Sequence, residues 1–186
     1  MFKHDTAEIV RAFRNGNQQA FNQLVLLCQA TIYNLALNYV KQEEEAKDLT
    51  QDIFVAAYKS LPQLREESKF SSWLYQIALN RCRNRYKQLY RKGFFTSLSI
   101  DDPDTFIQLQ SDTSPEKELE KKRIINLVRE TISDMPETEK EILILRDLQE
   151  LSYEEISSTL DLPLGTVKSK LNRARTSLKN RLKNRI

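Results

Sequence analysis

The stretch that decides the fold is "LSYEEISSTLDLPLGTVKSKLNRARTSL", residues 151–178. Ser152 precedes Glu155 by three residues, which is the spacing of a capping box and predicts a helix that begins at Tyr153. Pro163 fixes its own backbone and disfavours helix in the residue before it, so a second helix has to begin afresh after a short turn. The stretch is therefore predicted to form a helix–turn–helix.

The second helix of this pair has an apolar side and a polar side. Its apolar stripe consists of Val167, Leu171, Ala174, Leu178 and Leu182. Its outward side carries Lys168, Ser169, Asn172 and Arg173. A helix anchored in this way fits the major groove, where cations meet phosphates and Arg or Asn hydrogen-bonds guanine or adenine edges. The alternative is a solvated amphipathic helix, but the tight turn, the capping box and the long basic run favour DNA binding.

The formal net charge of +3 is small, but charges of opposite sign are segregated along the chain. Residues 166–186 and 80–92 are rich in Lys and Arg and contain no acid. Acidic residues are concentrated instead in 42–52 and 101–120. This segregation predicts two surfaces for a polyanion and at least one surface for a different partner.

The composition gives almost no support for an enzyme. The chain has three glycines, which are few for phosphate-binding loops, and its one histidine is His4, near the start of the sequence. No catalytic residue, metal site or cofactor is predicted, because the sequence contains no nucleophile–base set, metal cluster or phosphate loop. Cys28 and Cys82 each lie in an apolar helical run and are expected to be buried free thiols.

The protein is also expected to be cytoplasmic, without membrane insertion. No stretch is expected to approach the ~20 apolar residues that are needed to span a bilayer. The N-terminal sequence "MFKHDTAEIV" lacks the apolar core of a signal peptide.

Nearly every periodic segment has helical spacing, which predicts an all-α fold of two small helical domains. Residues 1–92 form the first domain, and residues 116–186 form the second, which contains the helix–turn–helix. Residues 93–115 break the helical period with Gly, Pro, Ser, Thr and Asp, and are predicted to be a flexible linker.

Helix positions follow from the spacing of apolar residues. In the first domain, helices are predicted at 18–40 and 44–61, with a third that begins near Trp73. The side chains expected to face its core are Leu24, Leu27, Cys28, Ile32, Leu35, Ala36, Tyr39, Ala46, Leu49, Ile53, Ala56, Ala57, Leu61, Leu74, Ile77, Ala78, Cys82 and Leu89. In the second domain, helices are predicted near 116–134, 137–147, 152–160 and 165–184.

The segment "KFSSWLYQIALNRCRNRYKQLYRK", residues 69–92, interleaves aromatic rings with cations. One polar stripe along this helix consists of Asn80, Arg83, Asn84, Lys87 and Arg91. Rings can stack on unpaired bases while cations follow the phosphates, so the stripe is predicted to bind nucleic acid. The alternative for the rings is that Trp73 and the tyrosines complete the core.

Taken together, these segments resemble an extracytoplasmic-function (ECF) sigma factor of the sigma-70 family, over residues 13–92 and 116–182. "NGNQQAFNQLV" resembles the first conserved segment of that family, and "EEEAKDLTQDIFVAAYKSL" resembles the segment that docks on the clamp coiled coil of RNA polymerase. "FSSWLYQIALNRCRNRYK" resembles the segment that melts and reads the −10 promoter element. "LSYEEISSTLDLPLGTVKSKLNRAR" resembles the −35 reader, and the four segments stand in the family's order.

The resemblance implies which residues would meet each partner. Polymerase would be bound by Asp48, Leu49, Gln51, Asp52, Phe54 and Tyr58. The −10 element would be bound by Leu64, Phe70, Trp73, Tyr75, Asn80, Arg83, Asn84 and Lys87. Residues 63–72 would form the loop that captures a flipped base. The −35 element would be bound by Thr166, Lys168, Ser169, Lys170, Asn172, Arg173 and Arg175.

The implied mechanism involves no covalent chemistry. The first domain would dock on core RNA polymerase and hold melted −10 DNA, while the second would read the −35 element as duplex. The protein would be a monomer when free, and a cognate anti-sigma factor is expected. The alternative is a dimeric helix–turn–helix regulator that binds palindromic duplex DNA, although it leaves the acidic "KDLTQDIF" helix and the Trp73 segment unexplained.

Overall fold

In the computed structural model, all regular secondary structure among the described residues is helical, which confirms the all-α class. The residues that the structure describes are 6–92, 120, 123–124, 127–128, 130–132 and 134–185. The predicted linker, residues 93–115, lies outside them.

Residues 6–92 contain four α-helices. They are α1 (Thr6–Arg14), α2 (Gln19–Val40), α3 (Glu43–Ser60) and α4 (Phe70–Arg91). Two 3-10 turns, Leu61–Gln63 and Glu67–Lys69, connect α3 to α4. Helix α2 ends because Lys41 is left-handed (φ 59°), and its N–H still bonds to the carbonyl of Leu37 while the chain turns into α3.

Helix α2 lies at the centre of this bundle and packs against α1, α3 and α4. The predicted core residues that are buried are Leu24, Cys28, Ile32, Leu35, Ala36, Tyr39, Ala46, Leu49, Ile53, Ala57, Leu61, Leu74, Ala78, Cys82 and Leu89. The prediction is wrong for Leu27, which is 38% exposed because it lies about 100° around the helix from Cys28, outside the buried stripe. Ala56 and Ile77 are half-buried.

Both cysteines are free and buried, as predicted. Burial raises the pKa of the Cys28 thiol to about 12 and also raises the pKa of Cys82. Because the thiolate is the reactive form, neither thiol is poised for chemistry near neutral pH.

The expectation that no stretch could cross a membrane is wrong for α2. By length and composition alone, Gln19–Val40 meets that requirement. Several of its apolar residues serve the core, since Leu24, Ile32 and Leu35 are fully buried in a helix that packs against three others. A central position in the bundle therefore accounts for these residues, whereas Leu26 is 69% exposed.

Residues 134–185 contain the predicted helix–turn–helix. The helices here are α5 (Glu137–Leu143), α6 (Tyr153–Leu160) and α7 (Leu164–Lys183), and a π-helical turn, Ile144–Leu148, extends α5. The predicted capping box is confirmed: Ser152 Oγ accepts a hydrogen bond from the Glu155 N–H at 3.1 Å, and Glu155 Oε2 accepts one from the Ser152 N–H at 2.7 Å. Pro163 immediately precedes α7, as predicted.

The two halves of the chain pack against each other. Helix α4 contacts α6, and the side-chain amide of Gln76 donates to the carbonyl of Ser158 at 3.1 Å. Helix α5 brings Lys140 and Glu141 to the same seam, and both side chains are buried. No sequence pattern predicted this contact between the domains.

Candidate DNA and polymerase interfaces

Helix α7 presents the polar side predicted for a DNA-reading helix. Val167, Leu171 and Ala174 are buried and fix which side of the helix faces the domain. The exposed side chains on the outward side are Lys168, Ser169, Asn172 and Arg173. Thr166 and Lys170 are half-buried beside them. The register predicted from the apolar stripe is therefore correct over this part of the helix.

Asn172 and Arg173 are available for contacts with bases. Within the described residues, neither side chain makes a hydrogen bond or an ion pair. Ser169 differs, because its hydroxyl donates to the backbone carbonyl of Thr166 at 3.0 Å. An amide and a guanidinium without protein partners can meet adenine and guanine edges without first breaking another contact.

Arg175 differs from its neighbours because its guanidinium is bound to Asp147. Nη2 lies 2.5 Å from Asp147 Oδ1, and Nε lies 3.2 Å from Oδ2. These hydrogen bonds raise the pKa of the Arg175 guanidinium. The pair ties α7 to the turn that follows α5, so in this structure the Arg175 guanidinium is engaged by a carboxylate. Asp147 could not be predicted from sequence as a partner of Arg175, because the two residues lie 28 positions apart.

Helix α4 has the predicted polar stripe, but part of it faces the C-terminal domain. Its exposed members are Asn80, Asn84, Lys87 and Arg91. The Asn80 amide oxygen accepts a hydrogen bond from Arg83 Nη1 at 2.8 Å. Arg83 also donates from Nε and Nη2 to the two carboxylate oxygens of Glu141, and this bonding raises the pKa of its guanidinium. Lys87 Nζ lies 3.7 Å from Glu137 Oε2. Glu137 and Glu141, which could not be connected with this stripe from sequence, therefore contact it.

The aromatic residues of this segment divide between the core and the surface. Phe70 and Tyr75 are each 1% exposed, and Leu64 is also buried. Their predicted contacts with DNA do not fit this conformation, because the side chains already pack inside the bundle. For Tyr75 the core alternative is correct, and Phe70, which that alternative did not name, is a core residue as well. Trp73 is half-buried, with its ring centroid 5.8 Å from that of Phe70, and it retains exposed surface on which a base could stack.

The predicted capture loop, residues 63–72, is compact. Glu67–Lys69 forms a 3-10 turn, and α4 already begins at Phe70. Arg14 Nη1 lies 2.8 Å from Glu67 Oε1 and ties the turn to the end of α1. The residues that this loop exposes are Gln63, Arg65, Glu66, Ser68 and Lys69.

Helix α3 presents an acidic face suited to a basic protein partner. Its exposed members are Asp48, Gln51 and Asp52, as predicted. Leu49 and Phe54 lie in the core, so direct contact between their side chains and polymerase does not fit their burial. They instead hold α3 against the bundle and thereby orient the acids.

Two further side chains extend the acidic face. Tyr58 is 41% exposed and packs edge-on against Phe21, with ring centroids 5.0 Å apart. Val55 is 53% exposed and was not predicted, although it follows Asp52 by three residues and therefore lies on the same side of the helix. Exposed apolar side chains beside charged ones are typical of a protein-docking surface.

Comparisons with known proteins identify the family to which the chain is similar. Residues 24–92 match the family model for Sigma-70 region 2, and residues 125–178 match that for Sigma-70, region 4. The chain is 33% identical to RNA polymerase sigma-H factor of Pseudomonas aeruginosa over 92% of this chain and 90% of that protein. It is also 33% identical to ECF RNA polymerase sigma-E factor of Haemophilus influenzae, over 94% of this chain and 93% of that protein.

Two solved structures share the fold. CnrH in complex with the cytosolic domain of CnrY matches with a TM-score of 0.71 at 23% identity, over 96% of this chain and 97% of that one. The sigma factor RpoE in complex with the anti-sigma factor NepR from Bartonella quintana matches with a TM-score of 0.62 at 22% identity, over 89% of this chain and 98% of that one.

The chain therefore belongs to the ECF branch of the sigma-70 family of RNA polymerase sigma factors. Members of this family are transcription initiation factors and not enzymes: they bind core RNA polymerase and direct it to promoter DNA. A dimeric palindrome reader, the alternative considered from sequence, does not account for the match to region 2.

Proposed function

We propose that this sigma factor divides its work among three surfaces. The acidic face of α3 docks on core polymerase, the polar stripe of α4 holds melted −10 DNA, and the outward side of α7 reads the −35 duplex. The observation that carries the proposal is that Asn172 and Arg173 are exposed, with no side-chain partner among the described residues, on a helix whose opposite side is buried in the domain.

At the −35 element, the roles follow from the donors that each position offers. Asn172 and Arg173 contact base edges, and Lys168 contacts phosphate as a point charge. The backbone amides at the start of α7, near Thr166, hold a further phosphate. Arg175, held by Asp147, sets the angle at which the helix enters the groove.

At the −10 element, Asn80, Asn84 and Lys87 supply hydrogen-bond donors and charge, and Trp73 supplies a stacking surface. Arg83 joins them once Glu141 releases it. Melting is driven by binding energy, because capture of an unstacked base offsets the few kcal/mol that extrusion costs. The exposed residues of the loop before α4 complete this DNA-binding surface.

At the polymerase interface, Asp48 and Asp52 provide charge that complements a basic partner. Val55 and Tyr58 add apolar contact area beside them. Docking on polymerase also brings the two weak DNA sites onto one scaffold, which raises their effective concentration. The free chain is therefore expected to bind promoter DNA poorly.

The proposal extends to partners and location. The similar structures of CnrH and RpoE hold those proteins in complexes with CnrY and NepR, which supports an anti-sigma partner for this chain as well. The protein works in the cytoplasm, where polymerase and DNA are found, without entering the membrane. It is a monomer when free, since neither DNA surface needs a second copy.

The direct test is affinity purification of the tagged chain from native cells, with its mass in solution measured in parallel. Core polymerase subunits and one small inhibitory partner are expected to co-purify with a chain that is monomeric when free. Recovery of a dimer that lacks polymerase subunits and binds duplex DNA would support the palindrome reader instead.

A further inference from the structure

Acids of α5 occupy the face of α4 that the proposed function assigns to −10 DNA. Arg83 donates hydrogen bonds from two of its nitrogens to Glu141, whose side chain is only 6% exposed. Glu137 lies 3.6 Å from Arg83 Nε and 3.7 Å from Lys87 Nζ. Two carboxylates therefore contact the cations that, in the proposed function, would contact DNA phosphates.

Further contacts hold the same seam together. Tyr39 donates its hydroxyl to Glu141 Oε1 at 3.5 Å, and Gln76 bonds to the backbone of Ser158. The Lys140 ammonium lies 4.3 Å from the centroid of the Tyr86 ring and 5.6 Å from that of Tyr39. These contacts join α2 and α4 of the first domain to α5 and α6 of the second.

We propose that Glu137 and Glu141 act as an intramolecular substitute for DNA, which keeps the free chain closed and has to leave the α4 stripe before −10 DNA can bind. The inference rests on the proposed −10 role of that stripe. A guanidinium that binds both oxygens of a carboxylate uses the donors that it would otherwise offer to a phosphate. A tethered domain competes at millimolar effective concentration, so modest contacts suffice to exclude DNA.

The seam also contains a feature that opposes closure. The Lys140 side chain is 3% exposed, and within the described residues its ammonium has no carboxylate within ion-pair distance. Burial of a charge without such a partner costs free energy, which opening the seam to water recovers. The ion pairs of Arg83 stabilise the closed form, and the burial of Lys140 destabilises it. Because the second effect partly offsets the first, binding of polymerase or DNA can shift the equilibrium to the open form.

Closure can be measured in the intact chain by chemical coupling. A zero-length carbodiimide joins an amine to a carboxylate in contact with it, so a Lys87–Glu137 cross-link, read by peptide mass spectrometry, reports the closed form. The Lys47–Glu44 pair, with 2.7 Å between Nζ and Oε1 inside α3, serves as the internal reference. The Lys87–Glu137 product is expected in the wild-type protein.

Two variants then separate closure from DNA binding. Glu141→Gln removes the carboxylate charge that holds Arg83 but leaves both coupled residues in place. Glu154→Gln, exposed on α6, is the charge-matched control. The Lys87–Glu137 yield is expected to fall in Glu141→Gln and to stay unchanged in the control. Affinity for a fluorescent single-stranded oligonucleotide of mixed sequence should rise about tenfold in Glu141→Gln, as expected when a closed form that predominates by that factor is removed.

Because Glu141 is buried, its substitution can destabilise the fold. A second variant at an exposed position therefore provides an independent test. Glu137→Gln changes a side chain that is 43% exposed, and it should raise oligonucleotide affinity in the same direction. Circular dichroism and the Lys47–Glu44 yield check that each variant remains folded.

Three outcomes would overturn the inference. A missing Lys87–Glu137 product in the wild type, or a yield that Glu141→Gln leaves unchanged, refutes the closed state. A lost product without a gain in affinity beyond the Glu154→Gln control refutes competition with DNA. Failure of the proposed function has a separate readout, which is that the wild-type chain does not bind core polymerase. Polymerase binding requires neither Glu137 nor Glu141.

Discussion

The ammonium of Lys140 lies 4.3 Å from the centroid of the Tyr86 ring, although the two residues belong to different domains. Burial lowers the pKa of Lys140 to about 8, and nearby Lys41 acts in the same direction. Glu137, Asp134 and Glu141 oppose that change. The contact between the domains therefore contains a group that titrates close to neutral pH.

This arrangement predicts that wild-type stability rises from about pH 8 to about pH 10, relative to Lys140→Met. The folded pKa is about 8 against an ordinary value of 10.5, so the unfolded chain binds more protons in this window and their loss favours folding. Between these two pH values, the unfolding free energy of the wild type relative to that of Lys140→Met is expected to rise by about 2 kcal/mol. Tyr39 and Tyr86, whose pKa values burial raises, act in the opposite direction above this window.

Urea unfolding of both proteins at the two ends of this pH range measures the effect. The Lys140→Met variant is also expected to be the more stable of the two at the lower pH, because it buries no charge. A difference in unfolding free energy that does not change with pH would contradict the burial of a charged Lys140.

Reversal of charge on α3 is predicted to abolish polymerase binding and leave the fold intact. The variant is Asp48→Arg with Asp52→Arg, two exposed positions on a helix whose other side is buried. Like charges then face each other across the interface, which can cost several kcal/mol. Gel filtration with core polymerase measures assembly, with Glu8→Arg and Glu154→Arg as a control of equal charge on other exposed surfaces. Wild-type assembly by the α3 variant would remove this face from the interface.

The register of the reading helix could be predicted from sequence because it depends on local spacing. Val167, Leu171 and Ala174 recur at helical intervals and therefore lie on one side of the helix, which is buried. Asn172 and Arg173 lie on the opposite side and must point away from the domain. The capping box before α6 was predictable for the same reason, since both of its partners lie within one turn.

The division of aromatic residues on α4 could not be predicted in that way. An aromatic residue among cations shows the same local pattern whether its ring meets a base or the core. Phe70 and Tyr75 became core residues because other helices of the fold pack against α4, a fact of tertiary packing. The Arg83–Glu141 pair, 58 residues apart, lies beyond any local pattern for the same reason.

Loss of the Arg173 guanidinium is predicted to weaken promoter binding through the −35 element. Its exposed position next to Asn172, with no protein partner among the described residues, motivates the change Arg173→Ala. One lost base contact should cost roughly 1–3 kcal/mol and relax preference at one or two base pairs. Competition among −35 variants, with the polymerase complex bound to each, measures this preference. Equal weakening on every −35 sequence would mean that Arg173 touches only phosphate.

Asn80→Ala is predicted to leave the closed promoter complex nearly unchanged and to slow formation of the open one. Asn80 is exposed on the α4 stripe, and unstacked bases become available only after melting. Its amide offers both a donor and an acceptor, which suits a base edge better than a phosphate. Because Asn80 also accepts a hydrogen bond from Arg83, thermal unfolding is measured alongside to detect any loss of stability.

A template that is already unpaired across the −10 region separates two roles of Asn80. If Asn80 reads the extruded base, the variant stays weaker on this template in both transcription and single-strand binding, because premelting does not replace the lost contact. Full recovery of the variant would assign Asn80 to the nucleation of melting. An unchanged rate on both templates, with unchanged stability, would remove it from the site.

The central claim, that this chain directs polymerase to promoters through the surfaces described, is tested most directly by transcription in a purified system. Core polymerase is given pooled genomic fragments with the wild-type chain, with the Asp48→Arg/Asp52→Arg variant, or alone, and the RNA 5′ ends are mapped. We expect a discrete set of start sites with the wild-type chain and none above core polymerase alone with the variant. Start sites that are no more frequent with the wild-type chain than with core polymerase alone would contradict the account.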